Sequence, residues 1–352
     1  MGFGLYNSVA SPPAGEEIVR AVAEAIREAE VAETAGFDGC FVGEHHQDPK
    51  GFLPSPMMLL SAIAARTTRL KVATGVLLLP LHDPYRVAEY AATLDVISNG
   101  RAILGVGAGY QQADFAPFGV AVKDRGAILE ESLAVVRACL EQERVTHKGA
   151  HFSLDNLAVT PRPVQRPRPE IWVTGWSPAG IRRAARYGDR WFADPLQHLA
   201  ILKRLVEAYR AEVAKLGGVP RVALFRDAWV APTREQAFRE YGEVMLPVTR
   251  YYWKNGAYNA ADPVLSTIKD ESDVTLERMA EDRLIIGSPA DCVAQVQRWN
   301  REVGADYFVL RFRQAHAGGP PHAAVCRAIE LFGAEVIRPL AGAPTFRKGE
   351  TQ

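Results

Sequence analysis

The sequence predicts an α/β fold: a (β/α)8, or TIM, barrel with insertions after strands four and seven. Short β-rich runs alternate with longer stretches of helical period along the chain, the pattern of parallel strands joined by crossover helices. Eight such runs occur, the number that closes a parallel barrel. A length of 352 residues suits one barrel with insertions, so 1–352 is expected to be a single domain.

Strands are predicted at Gly2–Tyr6, Gly39–Val42, Leu70–Leu79, Ala102–Gly107, Ile171–Thr174, Arg190–Phe192, Val222–Val230 and Tyr307–Phe312. Helices are predicted at Glu16–Ala35, Ser55–Arg66, Tyr85–Ser98, Arg125–Glu143, Ala179–Tyr187, Leu199–Leu216, Arg234–Val244, Ala290–Val303 and Ala323–Val336. Ser55-Pro56, Ser177-Pro178 and Ser288-Pro289 read as helix starts, where a hydroxyl caps free N–H groups and proline fits the first turn. Gly36, Gly100 and Gly188 follow helices where a left-handed cap is favoured. Two stretches exceed an ordinary connection. The first, about 145–169, ends in the proline-rich run Pro161–Pro169, expected as an extended surface coil; the second, about 247–284, carries Tyr251, Tyr252, Trp253 and Tyr258 and is expected as a lid or binding loop. Residues 348–352 are expected to fray.

Apolar residues make up 48% of the chain, enough for a sizeable core. Lys+Arg and Asp+Glu each number 41, so no net field would draw the protein to nucleic acid or an anionic membrane. The first residues lack the basic-then-apolar order of a signal peptide, and no apolar run is long enough to cross a bilayer. Cys40, Cys139, Cys292 and Cys326 are far apart and lack zinc-finger spacing, so reduced thiols in a cytoplasmic protein are expected, with no metal.

In such a barrel the chemistry sits at the C-terminal ends of the strands. Strand two ends in Glu44-His45-His46, and alternation along a strand lets only one histidine face the mouth easily. Gly75 interrupts strand three, as a bulge or a close approach of another group would require. Strand four gives Gly105-Val-Gly107-Ala-Gly109-Tyr110, in which Tyr110 stands where a dinucleotide fingerprint needs glycine; a backbone passing close to a flat ligand is the alternative. After strand five, Gly175-Trp176-Ser177-Pro178 opens a helix, which suits either a phosphate site or an ordinary cap. Arg311, Arg313 and His316 near strand eight are candidates for a polar or anionic substrate, or for a solvated rim.

Taken in order, Glu44-His-His46, Gly51–Pro56, Val72–Pro80 with His82-Asp-Pro84, Leu94–Arg101 and Gly105–Tyr110 resemble the bacterial-luciferase-like superfamily of flavin-dependent monooxygenases. The resemblance continues through Asp114-Phe115, Phe118-Gly119, Arg125 with Leu129-Glu-Glu131, and Gly287-Ser-Pro289. It implies a barrel that binds reduced FMN, or in one branch a deazaflavin, at its C-terminal mouth. On that resemblance His45 lies beside the flavin C4a edge and is the catalytic residue, and Gly75-Val76 form a non-prolyl cis peptide against the ring. Gly107 and Tyr110 flank the flavin, and Gly175, Trp176 and Ser177 hold its phosphate. Ala108 replaces an arginine that luciferase uses for that phosphate, a departure that argues against light emission from a long-chain aldehyde.

The implied reaction is oxidation of a small organic substrate by oxygen through a C4a-hydroperoxyflavin, with reduced FMN delivered by a separate, transiently bound flavin reductase. A water-excluding site would protect that intermediate, histidine would supply its proton, and aromatics of the 247–284 insertion would close over it. The competing expectations are a deazaflavin-dependent hydride-transfer enzyme and a flavin-binding protein without turnover. A homodimer paired through Ser55–Arg66 and Tyr85–Ser98 is also implied.

Overall fold

The computed structural model describes residues 1–9, 15–47, 53–254, 256, 258–314 and 319–341. Eight parallel strands close into a barrel: β1 (Gly2–Asn7), β2 (Gly39–Val42), β3 (Lys71–Thr74), β5 (Ala102–Gly107), β8 (Glu170–Thr174), β9 (Arg190–Ala193), β10 (Val222–Val230) and β12 (Ala305–Arg311). Closure runs through β1 on β12 and β9 on β10, all in parallel register. The helices α1 (Gly15–Ala35), α2 (Pro56–Arg66), α3 (Pro84–Ile97), α5 (Arg125–Glu141), α6 (Pro178–Tyr187), α7 (Leu199–Lys215), α8 (Arg234–Lys254), α10 (Pro289–Val303) and α11 (His322–Phe332) lie around it. Among the described residues no helix is long and apolar enough to cross a membrane.

The barrel interior is aromatic. Tyr6, Phe41, Trp172, Phe192, Phe225 and Tyr307 fill it together with Ile103 and Val309. The glycines of β1 make that possible: a Cβ on Gly2 would meet the Tyr307 ring at 2.3 Å, and one on Gly4 the Phe41 ring at 2.5 Å. A second, larger core joins the outer faces of the strands to the helices.

Several elements differ from expectation. Strand three breaks after Thr74 and resumes as β4 (Leu77–Leu78) on β5; the intervening Gly75–Val76 peptide is cis. The stretch after α5 is not coil throughout: β6 (Val145–Lys148) and β7 (Ser153–Leu157) form an antiparallel hairpin, and the extended coil begins only beyond it. Helix α8 does not stop at Val244 but continues through Pro247 to Lys254. Past α8 lie the short α9 (Leu276–Ala280) and β11 (Ile285–Gly287), which pairs with the outer end of β10. Helix α11 gives way to a π-helical turn at Gly333–Ile337. Gly36 and Gly100 take left-handed caps as expected, at φ 93° and 82°; Gly188 does not, with φ −89°. Ser177 and Ser288 cap through their hydroxyls, whereas Ser55 makes no such bond. Cys40, Cys139 and Cys292 are buried free thiols, and Cys326 is half-buried and also free.

Candidate active site

The strand ends at the C-terminal mouth bring most of the sequence-predicted residues onto one arc spanning four neighbouring strands. His45 and His46 follow β2, and their geometry is set by two carboxylates. Asp114, fully buried on the short helix α4 (Gln112–Phe115), places Oδ2 3.2 Å from His45 Nδ1 and accepts the His46 backbone N–H through Oδ1 at 2.7 Å. A carboxylate is an obligate acceptor when ionised, so His45 Nδ1 carries the ring proton and Nε2 is the basic nitrogen of the neutral imidazole. Gln111 Nε2 approaches the same Nδ1 at 3.4 Å, too far to compete, and donates instead to the Tyr110 hydroxyl at 3.1 Å. The His45 and Tyr110 rings meet edge to face, 6.2 Å apart.

Glu44 is the second carboxylate. Its Oε1 accepts from His46 Nε2 and His82 Nε2, both at 2.8 Å, and its Oε2 accepts the Leu78 N–H at 2.6 Å. The buried group thus ties the end of β2 to β4, across the cis Gly75–Val76 peptide. His46 is therefore held by a hydrogen bond as well as by its edge contact with Phe118, not by packing alone. Glu44, His82 and Asp114 carried no assigned role in the sequence; all three stood only within motifs.

Val76 rests on the aromatic interior. A Cβ on Gly107 would meet Thr174 Cγ2 at 2.6 Å and Val76 Cγ2 at 3.0 Å, and one on Gly105 the Thr74 carbonyl at 2.1 Å. Protein neighbours alone therefore account for these two glycines. Next on the arc, Gly175 lies against the first turn of α6, where its Cβ would sit 2.9 Å from Gly180 Cα. The Ser177 hydroxyl accepts the Gly180 N–H at 3.1 Å, and the Gly175 carbonyl accepts from Trp191 Nε1 at 2.9 Å. Tyr110 and Trp176 stand out as large aromatics 58% and 49% exposed, an arrangement that suits a flat ligand covering them.

The three polar candidates near strand eight separate. Arg311 forms a buried, two-bond pair with Asp227, at 2.6 and 3.0 Å, beneath Tyr6 and Phe225. Burial alone would lower the Arg311 pKa, but the Asp227 carboxylate more than offsets it and holds it raised. Burial likewise pushes the Tyr6 phenol up to about 12, against the opposing pull of Arg311. Arg313 points away from the mouth: it pairs with Glu28 and Glu24 of α1 and offers no charge to a substrate. His316 lies outside the described residues.

The aromatic insertion is a folded unit rather than an open loop. Trp253 and Tyr258 pack with Ile268, Val274 and Met279 in a separate small core, and a buried Arg283–Asp262 ion pair anchors it. Tyr252 is buried within electrostatic reach of Arg311 and Tyr110, while Tyr251 remains exposed.

Comparison with known proteins places this geometry in context. A family model described as luciferase-like monooxygenase matches residues 1–307. An uncharacterized protein of Sinorhizobium fredii is 32% identical over 58% of the chain, which spans 60% of that relative. Limonene 1,2-monooxygenase of Rhodococcus erythropolis is 28% identical over 86% of the chain and 77% of its own length. An F420-dependent glucose-6-phosphate dehydrogenase of Kineococcus radiotolerans is also 28% identical, over 87% of the chain and 89% of its own length. Two solved structures share the fold. A monooxygenase from Streptomyces bottropensis superposes with TM-score 0.83 at 24% identity, covering 96% of this chain and 99% of that one. The oxygenating constituent of 3,6-diketocamphane monooxygenase from Pseudomonas putida, in complex with FMN, gives 0.78 at 23%, covering 96% and 98%.

Proposed function

The chain belongs to the luciferase-like monooxygenase family, and on that premise we propose that it is a monooxygenase using reduced FMN and molecular oxygen on a small organic substrate. The observation that carries this reading is His45, oriented by the buried Asp114 carboxylate and set edge to face against the exposed Tyr110 at the mouth. The residues present fit a flavin. Tyr110 would flank its ring, the Gly75–Val76 backbone and Gly107 would line one side, and Gly175, Trp176 and Ser177 at the α6 N-terminus would receive its phosphate. When bound, reduced FMN supplies the electrons that activate oxygen. His45 holds and returns a proton at Nε2, Asp114 orients the ring, and Glu44 fixes the strand end from which both histidines project. The insertion keeps bulk water from that side of the site.

The partners are a separate flavin reductase, which binds transiently, and a second copy of the chain, paired through α2 and α3 in a cytoplasmic homodimer. Support for the pairing is the apolar surface that these helices expose: Met58, Tyr90, Val96 and Ile97. The F420-dependent relative makes deazaflavin the cofactor to be separated from FMN. Anaerobic titration with reduced FMN and with reduced F420, followed by admission of oxygen, does so. Tight binding of FMN and rapid oxygen consumption are expected; binding of F420 alone, with no oxygen uptake, would overturn the reading.

A further inference from the structure

At the opposite end of the barrel, where the strands begin, lies a polar cavity of about 320 Å3. Its walls come from the first residues of the strands rather than their ends: Lys71 opens β3, Glu170 opens β8 and Arg190 opens β9, Asp306 is the second residue of β12, and Asp38 and Arg221 immediately precede β2 and β10. The side-chain charges balance, three basic against three acidic, so what the cavity would attract is decided by which groups already have partners.

The carboxylates have them. Asp38 Oδ2 accepts the Phe3 N–H at 2.7 Å, Asp306 pairs with Arg190 Nη1, and Glu170 accepts from Trp172 Nε1 at 2.7 Å and from Arg221 Nη1 at 2.9 Å. The groups without a partner are donors. Arg190 is 3% exposed and its Nε–H bonds to nothing among the described residues; Tyr307 is 5% exposed and its hydroxyl is likewise unmatched. Lys71 lies within 4 Å of no described carboxylate, although three carboxylates line the same cavity. The Tyr307 hydroxyl and the Lys71 Cβ both lie within 3.4 Å of the point where a Gly39 side chain would begin. The Arg190 guanidinium carbon is 5.5 Å from the Tyr307 ring. Buried polar groups are nearly always satisfied, so orphaned donors on two residues that line one cavity point to an absent acceptor.

We propose that this cavity is a binding site for a small oxyanion of the phosphate class, held by Lys71, the Arg190 Nε–H and the Tyr307 hydroxyl. Burial raises the Tyr307 phenol pKa above its ordinary value, which favours the protonated, donating form. None of the three groups belongs to the mouth of the barrel, so the site is independent of the flavin reading.

The test uses the full chain and inorganic phosphate, followed by calorimetry and by melting temperature against chloride at equal ionic strength. A ligand that binds only the folded state raises the melting temperature with its concentration. The wild type is expected to bind phosphate saturably. Tyr307→Phe, which removes one oxygen, and Lys71→Gln, at an exposed position, should each weaken phosphate about tenfold or more while FMN affinity stays unchanged. Stabilisation by phosphate no greater than by chloride would overturn the proposal. So would wild-type phosphate affinity in both variants, which would place the anion elsewhere, for instance at the α6 N-terminus.

Discussion

His45 and His46 are neighbours in sequence but have different anchors, and this difference can be tested. Under the proposed function, His45→Ala leaves the ring and phosphate contacts untouched, so FMN affinity should change little. Loss of a charge-assisted hydrogen bond is worth roughly 1.5–3 kcal/mol, or about 10- to 150-fold in the step that needs it. The variant should therefore consume oxygen and release hydrogen peroxide with little product. Equal product per oxygen in the variant and the wild type would show that the wrong residue has been assigned. His322 offers a second test, far from the mouth. Its hydrogen bond to the buried Glu28 raises its pKa above the ordinary 6.5, against the lowering effect of burial, with Glu24, Arg313 and Cys326 as its other neighbours. A raised folded value means that the stabilisation is complete below the unfolded pKa and is lost as pH rises through the folded one. The melting-temperature gap between the wild type and His322→Asn should accordingly shrink from about pH 5.5 to about pH 8.5; a gap that widens would assign the stabilisation to another group.

Among the elements, α6 is tightly keyed to the end of β8, because the Gly175 and Gly180 backbones touch where any side chain would intrude. Gly175→Ala should destabilise the fold by about 1–3 kcal/mol through overpacking, read from the urea midpoint. An unchanged midpoint would mean that α6 slides freely on β8. All eight barrel strands were legible in the sequence because each is an apolar run bounded by turn residues. The β6–β7 hairpin was not, since only Val145 and Leu154 of it are buried and the rest reads as polar loop. Pro247 concealed the continuation of α8, a helix that tolerates it while the Thr249 hydroxyl bonds the Met245 carbonyl nearby. In the site, the position of His45 could be read from a strand end and a family likeness. Its partnership with Asp114 could not, because 69 residues separate them, and neither could that of Glu44 with His82 across 38.

For the whole molecule, the proposed dimer makes a direct demand on the outer face of α2 and α3. Met58 is 77% exposed and Tyr90 48%, so replacing both by glutamate should cost the monomer little while placing charges in the pairing surface. Light scattering at micromolar concentration should report a dimer for the wild type and a monomer for the double variant; a monomeric wild type would end the proposal. The length of β10 matters at the same scale. Its first residues pair with β9 and β12 within the barrel, and its last three with β11, the return strand of the insertion. The insertion thus leaves on a continuous helix and comes back on a strand of the main sheet, stitched down at both edges. Such attachment opposes a hinged, door-like swing, so if the insertion acts as the lid of the proposed function it opens by loosening from within. Amide exchange should then be fast across the small core around Ile268 and Val274 while β11 exchanges as slowly as the barrel, whereas equally fast exchange in both would describe a flap with a free hem.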